Sequence, residues 1–225
     1  MAIIEWPLNV APRALGFHMR GMTVQGPRTL TGRSQVASLD AGFWTATMRG
    51  LNVGGAARVK AWRAFIGLVE GGANAIRVPV FDREQIPWPV AGTYAATSTG
   101  FDDGTTFTDG TGFYERVILI TINGAAAKRA TQIGATIGTA GTIAAGVYFS
   151  IKDRLHVIRE VVSTSGSDQT WNIWPPLREA VADNAVIDFD APACLMRFVS
   201  DPSTDLDLTY GRFGFPDIEL VEVLP

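Results

Sequence analysis

From Glu115 onward the chain keeps one habit: a short apolar run, then turn residues, then another short run. The runs are Glu115–Ile122, Gln132–Ile143, Val147–Ile151, Leu155–Val162, Thr170–Trp174, Val186–Phe189 and Leu195–Val199, and Asn123-Gly124 stops the first of them. Apolar runs this short, punctuated this often, predict a β-barrel or sandwich. One helical turn is expected within it, at Pro176–Val181.

The first eighty residues share the β character and add one helix. Phe17–Val24 alternates loosely up to the turn at Gly26-Pro27, and Ser34–Leu39 and Gly42–Leu51 read as a hairpin around Asp40-Ala41-Gly42. In the second arm Trp44, Ala46 and Met48 share one face and Phe43, Thr45, Thr47 and Arg49 the other, the period of a strand with one buried side. Val59, Trp62, Phe65, Ile66 and Val69 instead fall on one face of a 3.6-residue helix over 56–70, which Gly71-Gly72 ends. A strand at Ile76–Phe81 follows. Residues 82–113 are rich in Thr, Gly, Ser and Asp and read as a long loop or exposed hairpin, a length that is usually functional or ordered by a partner. The expected fold is therefore mainly β, sandwich or barrel, with one amphipathic helix and two β-rich domains, 1–112 and 113–225.

Composition sets the bounds. The chain has 225 residues, 47% of them hydrophobic and 18% charged, which excludes intrinsic disorder. The single Cys194 allows no internal disulfide and no cysteine metal cluster. No apolar run reaches the length of a membrane span, and the first residues lack the pattern of a secretory leader, so synthesis in the cytoplasm is expected. Charge is unevenly spread. Residues 1–80 carry nine Arg/Lys against three Asp/Glu, and residues 81–225 carry ten against nineteen. Sixteen of the nineteen cations are arginine, the residue favoured at interfacial ion pairs. A basic and an acidic half on one chain suit head-to-tail self-association. Arg28, Arg33 and Arg49 are the expected basic contacts, and Asp201, Asp205 and Asp207 the acidic ones.

The sequence contains no nucleophile elbow, no Walker loop and no dinucleotide-binding glycine pattern. Gly134, Gly138, Gly141 and Gly146 sit among strand-like residues, where turns or close packing explain them better than phosphate binding. Of the two histidines, His18 and His156, the second reads as a strand side chain with an ordinary hydrogen bond. Asp102, Asp103 and Asp109 do not have the spacing of a calcium loop, and Asp-Gly is the common hairpin turn pair. No catalytic residue, metal or cofactor is expected.

Several short stretches carry a resemblance. Arg28-Thr29-Leu30-Thr31-Gly32-Arg33-Ser34-Gln35, Gly42-Phe43-Trp44, Trp62-Arg63-Ala64-Phe65 and Gly71-Gly72-Ala73-Asn74 are joined by Gly146–Val157, Ile173–Arg178 and Cys194–Phe198. Together they resemble tail-tip proteins of long-tailed phages and of the related gene transfer agents of α-proteobacteria, across most of the chain. The closest role in that family is the distal tail protein. The resemblance implies a virion structural protein, assembled in the host cytoplasm, that closes into a homohexameric ring. Its partners would be further copies of itself, the tail tube protein, the baseplate hub protein and tail fibres. DNA would be only transient cargo through the lumen, and no membrane would be involved. Residues 1–112 would form the ring and 113–225 a peripheral module. A tail tube protein and a baseplate hub protein are the neighbouring alternatives. Outside that family, a carbohydrate-binding β module is the second reading, with Trp88, Tyr94, Phe101 and Phe107 stacking on sugars, and a hydrolase without a legible motif is the third.

Overall fold

A computed structural model describes residues 2–21, 23–26, 35–38, 42–89, 98–99, 113–114, 116–200 and 206–225. They form a mainly β protein with one α-helix, as the pattern of short runs predicts. The chain divides into two compact units. The first joins residues 1–81 to 194–225, and the second is 82–193. This differs from the expected division at 112/113, because the last strands do not stay with the run that precedes them.

The first unit begins with β1 (Ile3–Glu5), β2 (Ala14–Arg20), β3 (Thr23–Gln25), β4 (Val36–Ser38), β5 (Phe43–Arg49) and β6 (Val53–Gly54). Helix α1 (Gly55–Val69) and β7 (Ala75–Pro79) follow. β5 pairs with β2, Phe17 opposite Ala46, and β4 pairs with β3. The expected hairpin between Ser34–Leu39 and Gly42–Leu51 is thus corrected. Both segments are antiparallel to residues 14–25, because that register places Leu15, Phe17 and Met19 beside Met48, Ala46 and Trp44 on one face. Trp44, Ala46 and Met48 are buried, as their alternation predicts.

Helix α1 buries Val59, Trp62, Phe65 and Val69. Its aromatic residues join those of neighbouring strands: Trp6 lies edge-on to Phe65 at 5.3 Å and to Trp62 at 6.0 Å, and Phe65 meets Phe198 at 6.3 Å. Such pairs each add about 1 kcal/mol beyond the area they bury. The helix stops where Glu70 turns left-handed (φ 51°) and Gly71 and Gly72 continue at positive φ. Asn74 secures that end by donating from Nδ2 to the Leu68 carbonyl at 2.9 Å.

The second unit contains β8 (Ser98–Thr99) and β9 (Phe113–Tyr114), an antiparallel pair in the segment read as a loop or exposed hairpin. Then come β10 (Leu119–Ile122), β11 (Gln132–Thr139), β12 (Tyr148–Ile151), β13 (Arg154–Ser165), β14 (Asp168–Trp174) and β15 (Val186–Ile187). Their order in the sheet is β12-β13-β14-β11-β10-β15. Ser150 and Asp188 exchange backbone hydrogen bonds of 2.8 and 2.9 Å, which tie the two ends of the sheet together into a barrel. A barrel this small is filled by its own inward side chains. Here they include Ile120, Ile133, Phe149, Ile158, Trp171 and Phe189, all buried in one cluster. Residues 176–181 are not the expected helical turn. Leu177 N–H donates to the Ala130 carbonyl and the Leu177 carbonyl accepts from Arg129 N–H, while Val181 and Ala126 exchange backbone hydrogen bonds, so residues 126–130 claim this backbone.

The chain then returns to the first unit as β16 (Ala193–Phe198), β17 (Phe213–Gly214) and β18 (Ile218–Glu222). The resulting sheet runs β1-β7-β16-β18-β5-β2, and β17 pairs with β6. Two strands that are late in the sequence therefore sit between β7 and β5.

Candidate functional site

The face of the first sheet opposite Trp44 and Met48 is open. Antiparallel registers place its side chains in rows. One row is His18, Thr45, Val221 and Arg197, and the next is Gly16, Thr47, Glu219 and Val199. Arg20 and Phe43 pair at the end of the face. The groove over these rows has a volume of about 590 Å³ and is rimmed by Gly71 and Gly72. It combines two cations, Arg20 and Arg197, with one anion, Glu219, and with the apolar Phe43, Val199 and Val221. Phe43, Thr45, Thr47 and Arg49 share one face in the sequence pattern. Arg197, Glu219 and Val221 escape that reading, because their places depend on pairings across 150 residues and more.

The buried side of the same sheet holds an ionisable group. Glu222 is 4% exposed and accepts a hydrogen bond from the Trp44 backbone N–H at 2.9 Å. It stands one residue past the Val221–Thr45 pair, so its carboxylate takes over where the ladder ends.

Of the expected contact residues, Arg49 and Asp207 are among the described residues. Arg49 is exposed at the end of β5, and its carbonyl accepts from Arg13 N–H at 3.0 Å. Asp207 is exposed in the same unit, and no ion pair joins the two among the described residues. The acid beside Arg49 is Asp217, which accepts from the Gly50 N–H at 2.7 Å. Arg28, Arg33, Asp201 and Asp205 lie outside the described residues, as do Tyr94, Phe101, Phe107, Asp102, Asp103 and Asp109. Trp88 is half-buried against the barrel core, and its indole N–H donates to the Arg83 carbonyl at 3.0 Å.

Several titratable or nucleophilic side chains of the described residues are buried. His156 is fully buried, stacked on Phe149 at 5.5 Å, with Nδ1 donating to the Pro175 carbonyl at 2.8 Å. Burial lowers its pKa from 6.5 to about 4 against the opposing pull of that hydrogen bond, and the nearby Arg178 and Arg154 lower it further. The ring is neutral near pH 7 and its Nδ1 proton is committed. Burial also raises Asp190, although the Val117 and Ile118 N–H groups hold both its oxygens. Tyr148 is raised by burial and by Asp82. Cys194 is buried. Among the described residues no three His, Cys, Asp or Glu side chains are grouped to hold a metal, and no helix is long and apolar enough to cross a membrane. The glycines read as packing residues behave as such: a methyl on Gly141 would collide with the Trp88 carbonyl, and one on Gly134 with that of Asn123.

Exposed apolar side chains concentrate in the first unit. Of the eleven large hydrophobic residues exposed among the described residues, eight lie there, Tyr210 at 97%, Leu8 at 83% and Leu68 at 57% being the most open. Neither a protein-family model nor a curated protein sequence matches this chain.

Proposed function

We propose that this chain is a structural protein of a phage tail tip, a distal tail protein whose copies close into a homohexameric ring between the tail tube and the baseplate hub. The observation that carries the reading is the bias of exposed apolar residues toward the first unit, beside an open sheet face bearing charges of both signs. A closed ring needs a heterologous interface, one patch meeting a different patch. Tyr210, Leu8 and Leu68 on one hand, and the rows around Arg197 and Glu219 on the other, are surfaces of the kind such an interface buries. The resemblance of the short motifs to tail-tip proteins supplies the position along the tail. In this role the barrel is a peripheral module and the chain performs no catalysis. The DNA passing through the ring is cargo, so a lumen of neutral or acidic character serves release better than a basic one.

Light scattering and negative-stain imaging of the purified protein over a range of concentrations test this. The expected particle is a ring of about six times the 24.2 kDa chain mass. A particle that stays at the single-chain mass up to high concentration overturns the ring.

A further inference from the structure

The outer wall of the barrel carries a polar row that the assembly reading does not use. Gln132 on β11, Asn172 on β14 and Glu160 on β13 stand side by side in register. Gln132 Nε2 donates to Asn172 Oδ1 at 3.2 Å, and Asn172 Nδ2 donates to Glu160 Oε2 at 2.9 Å. The row lies beside a break in the β13–β14 register between Ile158 and Glu160. A bulge puts two residues where alternation allows one, and it re-aims side chains. Here it leaves both Arg159 and Glu160 exposed. Arg159 forms no ion pair among the described residues. Thr131, Arg159, Glu160, Asn172 and Ile173 line a groove of about 600 Å³, within the range of small-ligand sites. Trp174, two residues beyond Asn172 and so on the same face, is half-buried.

The geometry points to a saccharide site on this wall, for a neutral, hydroxyl-rich ligand. Hydrogen-bond accounting favours that class. After the two bonds within the row, Asn172 keeps one amide proton, Gln132 keeps one proton and its carbonyl oxygen, Glu160 keeps Oε1 and Arg159 keeps its whole fork. Sugar hydroxyls donate and accept at once, so they match planar groups that supply both roles in one plane. The internal bonds fix the side chains before the ligand arrives, which lowers the ordering cost of binding. Charge argues against other ligands. Glu160 repels a phosphate, Arg159 repels a metal cation, and one arginine does not track a nucleic acid backbone. The site is independent of the ring, since every residue in it belongs to the barrel unit.

The test uses the full chain on an array of neutral hexose, N-acetylhexosamine and pentose oligosaccharides together with sulfated and acidic ones, with calorimetric titration of whichever is retained. Arg159→Ala and Asn172→Ala are each expected to weaken binding about ten-fold or more, the size of one lost polar contact to a charged or buried partner. Arg159→Ala should keep the wild-type Tm, Asn172→Ala should lower it by no more than a few degrees for the two bonds it loses, and both should keep the particle mass, which separates loss of this site from loss of the fold or the ring. Three results overturn the proposal: no oligosaccharide held at millimolar concentration, retention of sulfated or acidic probes alone, or binding unchanged in both variants.

Discussion

His156 makes the stability of the barrel depend on pH. Its folded pKa of about 4 lies below the ordinary 6.5, so in mildly acidic solution the unfolded chain takes up a proton that the folded chain refuses. The stabilisation is complete above pH 6.5 and is lost as pH falls toward 4, by about 3 kcal/mol over the window. Asp190, raised by burial, acts in the opposite sense, because a folded carboxyl that binds its proton early gains stability as pH falls. His156→Asn isolates the histidine: its amide can donate to the Pro175 carbonyl as Nδ1 does, and it does not titrate. Denaturant unfolding at pH 7 and pH 5 should show a clear drop for the wild type and a markedly smaller one for the variant. Equal drops would mean that His156 does not carry the effect. The part of this legible in the sequence was the role, a strand histidine with one hydrogen bond, since Leu155-His156-Val157 stands in an apolar run. Its full burial was not legible, because Phe149 and Pro175, which cover and bond it, come from other segments. Glu222 is a sharper case: it looks like one more acid of a charged tail, yet it is buried beneath Trp44.

Helix α1 follows from its own sequence. The offsets of Val59, Trp62, Phe65, Ile66 and Val69 predict its inward stripe, and the structure buries four of them and leaves Ile66 half-buried. The Trp62 ring works by shape alone, for its indole N–H has no hydrogen-bond partner among the described residues. Trp62→Ala should therefore cost about 3–5 kcal/mol through the cavity it opens between Trp6 and Phe65. Leu68→Ala, one residue before the helix end and 57% exposed, should cost less than about 1 kcal/mol. Thermal or denaturant unfolding measures both, and comparable losses would contradict the packing described. Strand pairing was less legible than the helix. Alternation shows which side of β5 is buried, but the choice of partner is a long-range matter. Asp40-Ala41-Gly42 offered a local turn, and the register with β2 won because it aligns three apolar side chains with Trp44, Ala46 and Met48. The segment 176–181 misled for the same reason, its backbone being claimed by residues 126–130.

For the whole molecule, assembly is the property that separates the readings. If Tyr210 and Leu8 are covered in a ring, Tyr210→Ser combined with Leu8→Ser should reduce the particle mass toward one chain while leaving Tm within a degree or two, since both side chains are open in the single chain. Arg49→Glu should weaken assembly too if the exposed end of β5 is a contact. Light scattering reads both outcomes, and unchanged mass removes those residues from the interface. The mainly β class and the single helix were plain from the chain, whereas the division into units was not. Runs of similar look continue through residue 199, and nothing local marks 194 as the point where the chain leaves the barrel. That return has a consequence for the order of events at the ribosome. β7 is complete at residue 79 and β5 at residue 49, but their neighbours in the sheet, β16 beside β7 and β18 beside β5, are made only after the whole barrel. At roughly 5–20 residues per second, the wait to the end of β18 is about seven to thirty seconds. Throughout it, β5 and β7 expose edges meant for strands not yet synthesised, and by the time those strands emerge the barrel already has every strand it needs. The inserted unit is therefore finished first, and the unit that holds both the earliest and the latest residues is finished last.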